Sequence, residues 1–210
     1  MSKSQTPTSP TARGRRTRET ILRAATDLFH SKGVHATSVD DILEASGTGK
    51  GQFYHHFGSK ESLVRAALRD RADRVFESQG ALLAGLGSWD GLRDWFEAMA
   101  ASHDLRCCPG CPIGRIAYEM ADHDPEVREE IERYFGRWRG HLGRGLSTMR
   151  AAGLLRADAD PEALSEFCLA AIQGGILLAK TRGSVAPLRT VVDQLLGHLH
   201  SYGARPADRA

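Results

Sequence analysis

The stretch Thr37–Leu63 has the sequence TSVDDILEASGTGKGQFYHHFGSKESL and contains two short helical patterns. Ser38 precedes the first pattern and Asp41 follows three residues later, which is capping-box spacing with aspartate in place of the usual glutamate. Gly47 is expected to end this helix, and a second helix is expected over about Gly49–Phe57. Two short helices joined by a tight, glycine-containing turn predict a helix-turn-helix.

The second of these helices is expected to present a polar face. Phe53 and Phe57 lie four residues apart, so both should point toward the core. Helical steps then leave four residues on the outward face and its flanks: Gly51, Gln52, Tyr54 and His55. A glycine permits close approach to a DNA groove, and Gln52 can pair with a base edge, commonly adenine. The tyrosine, the histidine and Lys60 can donate to phosphates. The alternative is a polar face that only meets water.

The rest of the chain also repeats apolar residues with a helical period, and no strand-like alternation persists. A first helix should end at Gly33, and Ser59 should cap a fourth helix that runs to about Glu77. The chain loosens over Gly80–Gly91. Five later helices are expected at about Trp89–Arg106, Pro112–Ala121, Pro125–Ala152, Pro161–Arg182 and Pro187–Tyr202, four of them opened by a proline. These nine helices predict an all-α fold.

We expect four parts: a disordered leader over residues 1–14, a three-helix unit with the helix-turn-helix over 15–60, a six-helix body over 61–204 and a tail over 205–210. Up to Val75 the chain has 13 Lys and Arg against 8 Asp and Glu, and from Phe76 it has 15 against 18. A basic unit on a mildly acidic body predicts a polyanionic partner for the first part alone. The alternative is an uneven solvated surface.

Targeting signals are not expected in this chain. It contains no run of 18 or more apolar residues, so the sequence predicts no membrane span. Met1–Thr11 is polar and rich in Ser, Thr and Pro, unlike a secretory signal. The expected location is the cytoplasm.

Thr37–Gly47 and Lys50–Leu63 together resemble the tetracycline-repressor (TetR) family of transcriptional regulators. Upstream, Arg18–Leu22 and the spacing of Ala25, Leu28, Phe29 and Gly33 are similar to the first helix of that family. The resemblance is dense over about Arg16–Leu68. It implies a regulator, most often a repressor, that binds a palindromic operator in double-stranded DNA and is released by a small-molecule inducer. It implies neither an enzyme nor a cofactor.

Carried over position by position, the resemblance implies DNA contacts from three helices. The implied contacts are Thr37, Ser38, Lys50, Gly51, Gln52, Tyr54, His55 and Lys60. Two positions depart from the family pattern: Gly49 stands where the family usually has a capping Ser or Thr, and Gln52 replaces a commoner Thr. The departures affect one phosphate contact and the operator sequence.

The resemblance also implies that the body binds the ligand and forms a homodimer through its last two helices. Two apolar stripes agree with this: Leu164, Phe167, Cys168, Ala171, Ile172, Gly175 and Leu178, and then Leu188, Val191, Val192, Leu195, Leu196 and Leu199. Gly174 and Gly175 inside a helix each cost about 1 kcal/mol relative to alanine, which close helix approach could offset. The alternative is a helix pair within one chain. Two-fold symmetry would place two recognition helices about 34–36 Å apart.

A ligand pocket is expected among helices four to eight. The candidate lining residues are Trp95, Phe96, Met99, His103, Ile116, Tyr118, Met120, Trp138, Met149 and Phe167. Aromatic and methionine side chains at helical spacing are often simply core, which is the alternative for each of them. The mildly acidic body favours a cationic ligand, and Gly110–Gly114 resembles a multidrug- or flavonoid-responsive subgroup of the family.

A cysteine cluster, Cys107, Cys108 and Cys111, precedes the helix that Pro112 opens. The helix N-terminus and Arg106 would lower the pKa of the Cys111 thiol and favour its reactive thiolate. Three interpretations remain open: a tight turn with small buried thiols, a redox or electrophile sensor, and a metal site that includes His103. Zinc usually requires four ligands in paired clusters, and one cluster is present, so no metal is expected.

An enzyme is the alternative from another class. A thiol oxidoreductase could use Cys108 and Cys111, which have C-x-x-C spacing. Such a motif requires strands in a βαβ pattern, and none is visible. A purely structural interaction protein is a third option, which the helix-turn-helix pattern disfavours.

Overall fold

The computed structural model describes residues 12–102 and 110–204, and ten α-helices account for most of them. They are α1 (Ala12–Ser31), α2 (Val39–Ser46), α3 (Lys50–Phe57), α4 (Lys60–Ser78), α5 (Gly80–Ala84), α6 (Trp89–Ser102), α7 (Pro112–Met120), α8 (Pro125–Ala151), α9 (Pro161–Arg182) and α10 (Ala186–Ser201). The predicted all-α class is confirmed.

Two details of the predicted helix pattern need correction. The described residues contain one helix more than the nine expected, because Gly80–Ala84 forms α5 where a loose connection was predicted. Helix α1 already begins at Ala12, so the end of the predicted leader is helical. Residues 1–11, residues 103–109 and the predicted tail lie outside the described part of the chain.

The first three helices pack with the start of α4 around a small apolar core. Its largest members are fully buried: Ile21, Phe29, Ile42, Phe53 and Leu63. Burying one such side chain contributes about 1.5–3 kcal/mol. Because Phe53 and Phe57 are both in this core, the opposite face of α3 is directed outward.

Helix α4 connects this unit to the body by packing along α8. The Arg69 guanidinium lies 2.8 Å from the Glu130 carboxylate, and that of Arg137 lies 2.8 Å from Asp73. Arg137 also covers the ring of Phe76 at 3.9 Å from its centroid. Two ion pairs and an arginine–aromatic contact therefore hold α4 against α8.

The last two helices pack closely within one chain. A Cβ at Gly175 would lie 3.1 Å from Leu188 Cδ1, so the glycine allows α9 and α10 to approach. Most of the two apolar stripes is buried in this contact and against α8, including Cys168, Ile172, Leu188 and Leu195. The alternative of an intramolecular pair therefore holds for these residues. Gly174, with no atom near its Cβ position, is on the open side.

Helix α9 is long and apolar enough to cross a membrane by length and composition alone, with a mean hydropathy of 1.4 over its most apolar window. It packs against both α8 and α10, and 39% of that window is buried inside the chain. The core helix of a protein that spans no membrane passes the same test.

Candidate functional site

The start of α2 is held by a complete capping box, as predicted. The Asp41 amide donates to Ser38 Oγ at 3.0 Å, and the Ser38 amide donates to Asp41 Oδ2 at 2.7 Å. The Ser38 hydroxyl and amide, with the Lys32 ammonium at 3.4 Å, lower the pKa of the Asp41 carboxyl to about 2. Ser38 is exposed, so this helix N-terminus lies at the surface, where its first amides can meet a phosphate.

Thr37 does not occupy the position expected of a direct DNA contact. Its side chain is fully buried, and its hydroxyl donates to the Gly33 carbonyl at 2.6 Å. A buried, paired hydroxyl is not available to a phosphate. The residue instead fixes the turn between α1 and α2.

Gly49 caps α3 without a side chain, and Gln52 makes the other half of a capping box. Gln52 Oε1 accepts a hydrogen bond from the Gly49 amide at 3.1 Å. Just before this cap, the Ser46 and Thr48 hydroxyls lie 2.7 Å apart. Because its oxygen is engaged at the start of α3, the Nε2 donor is the group that this exposed side chain has left for a partner. A lone donor suits an acceptor on a base edge better than the two-bond adenine pairing expected from sequence.

The outward face of α3 is composed as predicted. Phe53 and Phe57 are buried, whereas five neighbouring residues are exposed: Lys50, Gly51, Gln52, Tyr54 and His55. No atom lies within 4 Å of a Cβ built on Gly51, so that position is open space. Tyr54 is 48% exposed, an unusual exposure for a large aromatic residue. The structure thus brings these predicted site residues together on one surface.

Two further features extend this surface. Lys60 is in the first turn of α4, which Ser59 caps by accepting from the Ser62 amide at 3.2 Å. On the other side, Arg18 of α1 lies 5.2 Å from the centroid of the Phe57 ring, beside the end of α3. The predicted leader, residues 1–14, included Arg13. The structure places Arg13 on α1, five residues before Arg18, with Arg16 between them.

A cavity of about 380 Å³ lies in the body between α4, α6, α8 and α9. Ligand sites typically measure about 300–1,000 Å³. Trp95, Met99 and Trp138 line it, as predicted. Apolar side chains of Val75, Leu169, Ile172 and Ile176 form much of the remaining wall.

The other pocket candidates lie elsewhere. Phe96, Ile116, Met120 and Met149 are buried and do not line this cavity, so packing explains them. Tyr118 is 91% exposed and Phe167 is 47% exposed, so both predictions of a pocket role were wrong for this chain. Tyr118 is on the outer face of the short helix α7, which sequence periodicity alone did not orient. His103 lies outside the described residues.

The charged side chains that line the cavity are both cationic. Its lining includes Arg71, Arg74 and Gln173 but no Asp or Glu side chain from the described residues. This is the opposite of the acidic character that the composition of the body suggested. Trp95 donates to Gln79 Oε1 at 3.2 Å, so that pair is satisfied.

The Cys111 thiol is part of the cavity lining, and its chemistry differs from the prediction. Its sulfur accepts from the Gly114 amide at 3.3 Å. Burial raises the pKa of the thiol, and the hydrogen bonds from Gly114 and Ile113 offset only part of this effect. The predicted lowering of this pKa was wrong, because desolvation outweighs the helix N-terminus. Cys107, Cys108 and Arg106 lie outside the described residues.

Other cysteine and metal chemistry finds little support in the described residues. Burial raises the pKa of the Cys168 thiol to about 12. No group of three or more His, Cys, Asp or Glu side chains in this part of the chain could hold a metal ion.

Helix α7 connects the cavity with the unit formed by α1, α2 and α3. This unit carries the helix-turn-helix, and we call it the DNA-facing unit. The N-cap residue of α7, Cys111, lies in the cavity wall. Arg115, one turn further along, donates a hydrogen bond of 2.9 Å to the His30 carbonyl at the end of α1. Glu119 accepts from the His35 amide at 3.0 Å and from Arg115 at 3.1 Å. A Cβ on Gly33, which has a φ of 95°, would lie 2.5 Å from Glu119 Oε1. This α1–α7 clamp therefore requires glycine at position 33.

A helix-turn-helix with an exposed polar second helix, carried on a helical body with a cavity, defines a DNA-binding transcriptional regulator. Residues 21–67 match the family described as "Bacterial regulatory proteins, tetR family", and residues 89–194 match "Transcriptional regulator LmrA/YxaF-like, C-terminal domain". An HTH-type transcriptional regulator of Lactococcus lactis subsp. lactis is 30% identical over 91% of this chain and 97% of its own. The chain belongs to the TetR family.

Two further relatives agree. The HTH-type transcriptional repressor DhaR of Mycobacterium sp. (strain GP1) is 28% identical over 81% of this chain and 86% of its own. A TetR-family regulator from Cytophaga hutchinsonii has the same fold, with a TM-score of 0.81 and 23% identity over 94% of this chain and 100% of its own. Members of this family are transcriptional regulators, so the enzyme alternative is set aside.

Proposed function

We propose that this chain is the protomer of a homodimeric, cytoplasmic repressor. It binds a palindromic operator through α3 and leaves the operator when a small molecule fills the cavity between α4, α6, α8 and α9. The observation that carries the proposal is the exposed face of α3, which the buried Phe53 and Phe57 hold outward. Its polar side chains and its open Gly51 have the chemistry and space that a groove requires.

The expected contacts divide into two kinds. Gln52 reads a base edge, because it is exposed and its oxygen is already bonded to the Gly49 amide, which leaves its Nε2 to donate. Phosphates are contacted by donors around it: Lys50, Tyr54, His55 and Lys60 on α3 and α4, and Arg16 and Arg18 on α1. Ser38 contributes through the exposed N-terminus of α2.

The dimer is proposed to form on the open side of α9. Three large apolar residues are exposed there: Phe167 at 47%, Leu177 at 56% and Leu178 at 44%. Gly174 lies between them, and no atom is within 4 Å of a Cβ built on it. The His198 ring of α10 packs on the Phe167 ring, with 4.9 Å between the ring centroids. Exposed apolar patches of this kind are typical of protein interfaces.

Release is proposed to pass through α7. One end of this helix borders the cavity at Cys111, and its Arg115 and Glu119 hold the end of α1 and the following turn. A ligand that displaces the first turn of α7 would move these contacts and change the angle of the DNA-facing unit. Such coupling requires that the ligand prefer one of two body conformations.

A salt titration of binding tests the proposed function. Purified protein is titrated onto a duplex enriched from random DNA and onto a scrambled duplex, with fluorescence anisotropy as the readout. The logarithm of affinity should fall with the logarithm of salt concentration, with a slope of about −0.9 per neutralised phosphate. Lys60→Ala should flatten that slope by about one phosphate. Equal affinity for both duplexes, or indifference to salt, would contradict the proposal.

A further inference from the structure

The cavity has an unbalanced set of charges. Arg71 and Arg74 both contribute to its lining, and no carboxylate from the described residues does. Arg74 is already paired, since its Nε and Nη2 donate to the two oxygens of Asp70 at 2.8 and 3.1 Å. One of the two guanidinium groups therefore has its charge balanced within the chain.

Arg71 differs from its neighbour. Its Nε is buried and has no hydrogen-bond acceptor, and no ion pair joins Arg71 to a carboxylate of the described residues. Burial lowers the pKa of His30, and the positive charge of Arg71 adds to that effect. The same charge acts to lower the pKa of Cys111 and Tyr134, where burial has the larger, opposite effect. The Arg71 side chain is half-buried, and a charge withdrawn from water is normally paired. No carboxylate of the described residues pairs with this cation at the cavity.

A second donor faces the same space. Trp138 is only 4% exposed and lines the cavity, and its Nε1 has no acceptor. The Trp138 indole N–H is near enough to the Tyr134 hydroxyl to lower its pKa against the larger opposite effect of burial, but it has no acceptor in hydrogen-bond geometry. A buried indole N–H usually finds a partner. Two donors without an acceptor in hydrogen-bond geometry, Arg71 Nε and Trp138 Nε1, indicate that an acceptor would complete this side of the cavity.

We propose that the cavity binds an organic anion, a carboxylate attached to an apolar, aromatic body. Arg71 forms the ion pair with the carboxylate, and Trp138 donates the further hydrogen bond. Trp95, Met99, Leu169 and Ile176 enclose the apolar part of the ligand. This inference names the ligand class of the site in the proposed function and rests on that function. It replaces the cationic ligand that the overall charge of the body suggested.

Arg71 also connects the main cavity with the DNA-facing unit. The same side chain lines a smaller cavity with Phe29 and His30 of α1 and Ile116 of α7. A carboxylate that draws the guanidinium toward the main cavity therefore removes a packing partner from the end of α1. Ligand charge and release of DNA are then linked through one side chain.

The test compares carboxylates with their uncharged amides of the same shape. Benzoate and benzamide, phenylacetate and phenylacetamide, and naphthoate and naphthamide are titrated into the full-length protein by isothermal titration calorimetry. A charge-assisted pair predicts that at least one carboxylate binds about tenfold or more tightly than its amide. Arg71→Gln should abolish the preference, Arg71→Lys should retain part of it, and Arg93→Gln, a control at an exposed arginine of α6 outside the cavity, should leave it unchanged.

Several outcomes would overturn the inference. These are failure of all three carboxylates to bind, equal binding of amides and carboxylates, and a preference that survives in a folded Arg71→Gln protein. If that variant fails to fold, the preference in the parent and in Arg71→Lys still decides. DNA binding measured without ligand separates the two proposals. Intact operator binding with no preference for anions contradicts this inference alone, whereas loss of operator binding by the parent contradicts the proposed function.

Discussion

Gln52 has two roles in α3 that a single substitution can separate. Its oxygen accepts from the Gly49 amide at the start of the helix, and its amide nitrogen is the group proposed to contact DNA. Gln52→Glu keeps an acceptor for the cap but loses the donor, whereas Gln52→Ala loses both.

We expect Gln52→Glu to melt within about a degree of the parent, because it keeps the acceptor of the cap. Gln52→Ala should melt at a lower temperature, since loss of a helix cap costs about 0.5–2 kcal/mol. Both variants should lose about 1–3 kcal/mol of operator affinity and the preference at one base position. Melting curves and anisotropy titrations measure the two effects. Parent-like binding by both variants would show that α3 is wrongly oriented on DNA.

Asp41 gives the DNA-facing unit a defined acid sensitivity. The folded pKa of about 2 is below the ordinary value of 3.8, so the ionised carboxylate favours the folded state. That contribution is complete above about pH 4 and is lost as the pH falls toward 2. The melting-temperature difference between the parent and Asp41→Ala should therefore shrink over this range. Asp40→Ala, one residue outside the capping box, is the control, and a difference independent of pH would contradict the assignment.

At the scale of elements, the α1–α7 clamp is the contact most open to test. Arg115→Gln removes the donor to the His30 carbonyl and the ion pair with Glu119. Burial tends to raise the pKa of Glu119, and hydrogen bonds from His35 and Arg115 lower it overall, so this carboxylate depends on its partners.

We expect faster amide exchange at Val34–Thr37 in Arg115→Gln, because that turn loses its anchor on α7, together with weaker operator binding. Hydrogen exchange with mass spectrometry measures the first effect and anisotropy the second. Arg93→Gln, which removes an exposed pair with Asp90 on α6, is the control. Unchanged exchange in that turn would remove α7 from the proposed route of release.

Sequence periodicity predicted the helices well, but it did not predict all of the contacts between them. It placed α2 and α3, their caps and the buried Phe53 and Phe57, because local spacing and capping chemistry decide those features. It could not show that Thr37 is turned inward, that Tyr118 is on the outer face of α7, or that burial dominates at Cys111. Each of these depends on which helix packs alongside, and that is a tertiary contact. Arg71 was not among the predicted site residues for the same reason, because its proposed role depends on the cavity that it lines.

At the scale of the whole molecule, the sequence predicted the two helices of the proposed dimer interface. It did not predict which faces of those helices remain exposed in a single chain. Leu195, which belongs to the predicted interface stripe, is 2% exposed within one chain. Leu195→Asp should therefore unfold the chain rather than separate two copies, because a buried unpaired carboxylate is costly.

Leu177→Asp tests the proposed dimer surface instead. Leu177 is already exposed, so the variant should keep its helical circular dichroism and a cooperative thermal transition, at a melting temperature lowered by loss of the partner subunit. It should sediment as a monomer and lose most of its operator affinity, because a charge in an apolar interface is unpaired and the two half-sites are no longer bound together. Tyr118→Asp, on a different exposed surface, should remain dimeric. A Leu177→Asp protein that still sediments as a dimer would place the interface elsewhere.

Selection of binding sites from random duplex DNA with the purified protein tests the central claim most directly. The account predicts an enriched inverted repeat whose half-sites lie one helical turn apart, about 10–10.5 base pairs, or a multiple of that spacing. Gln52→Ala should relax one position in each half-site symmetrically. A pool without any enriched motif, or a motif without two-fold symmetry, would contradict a dimer that reads DNA through α3.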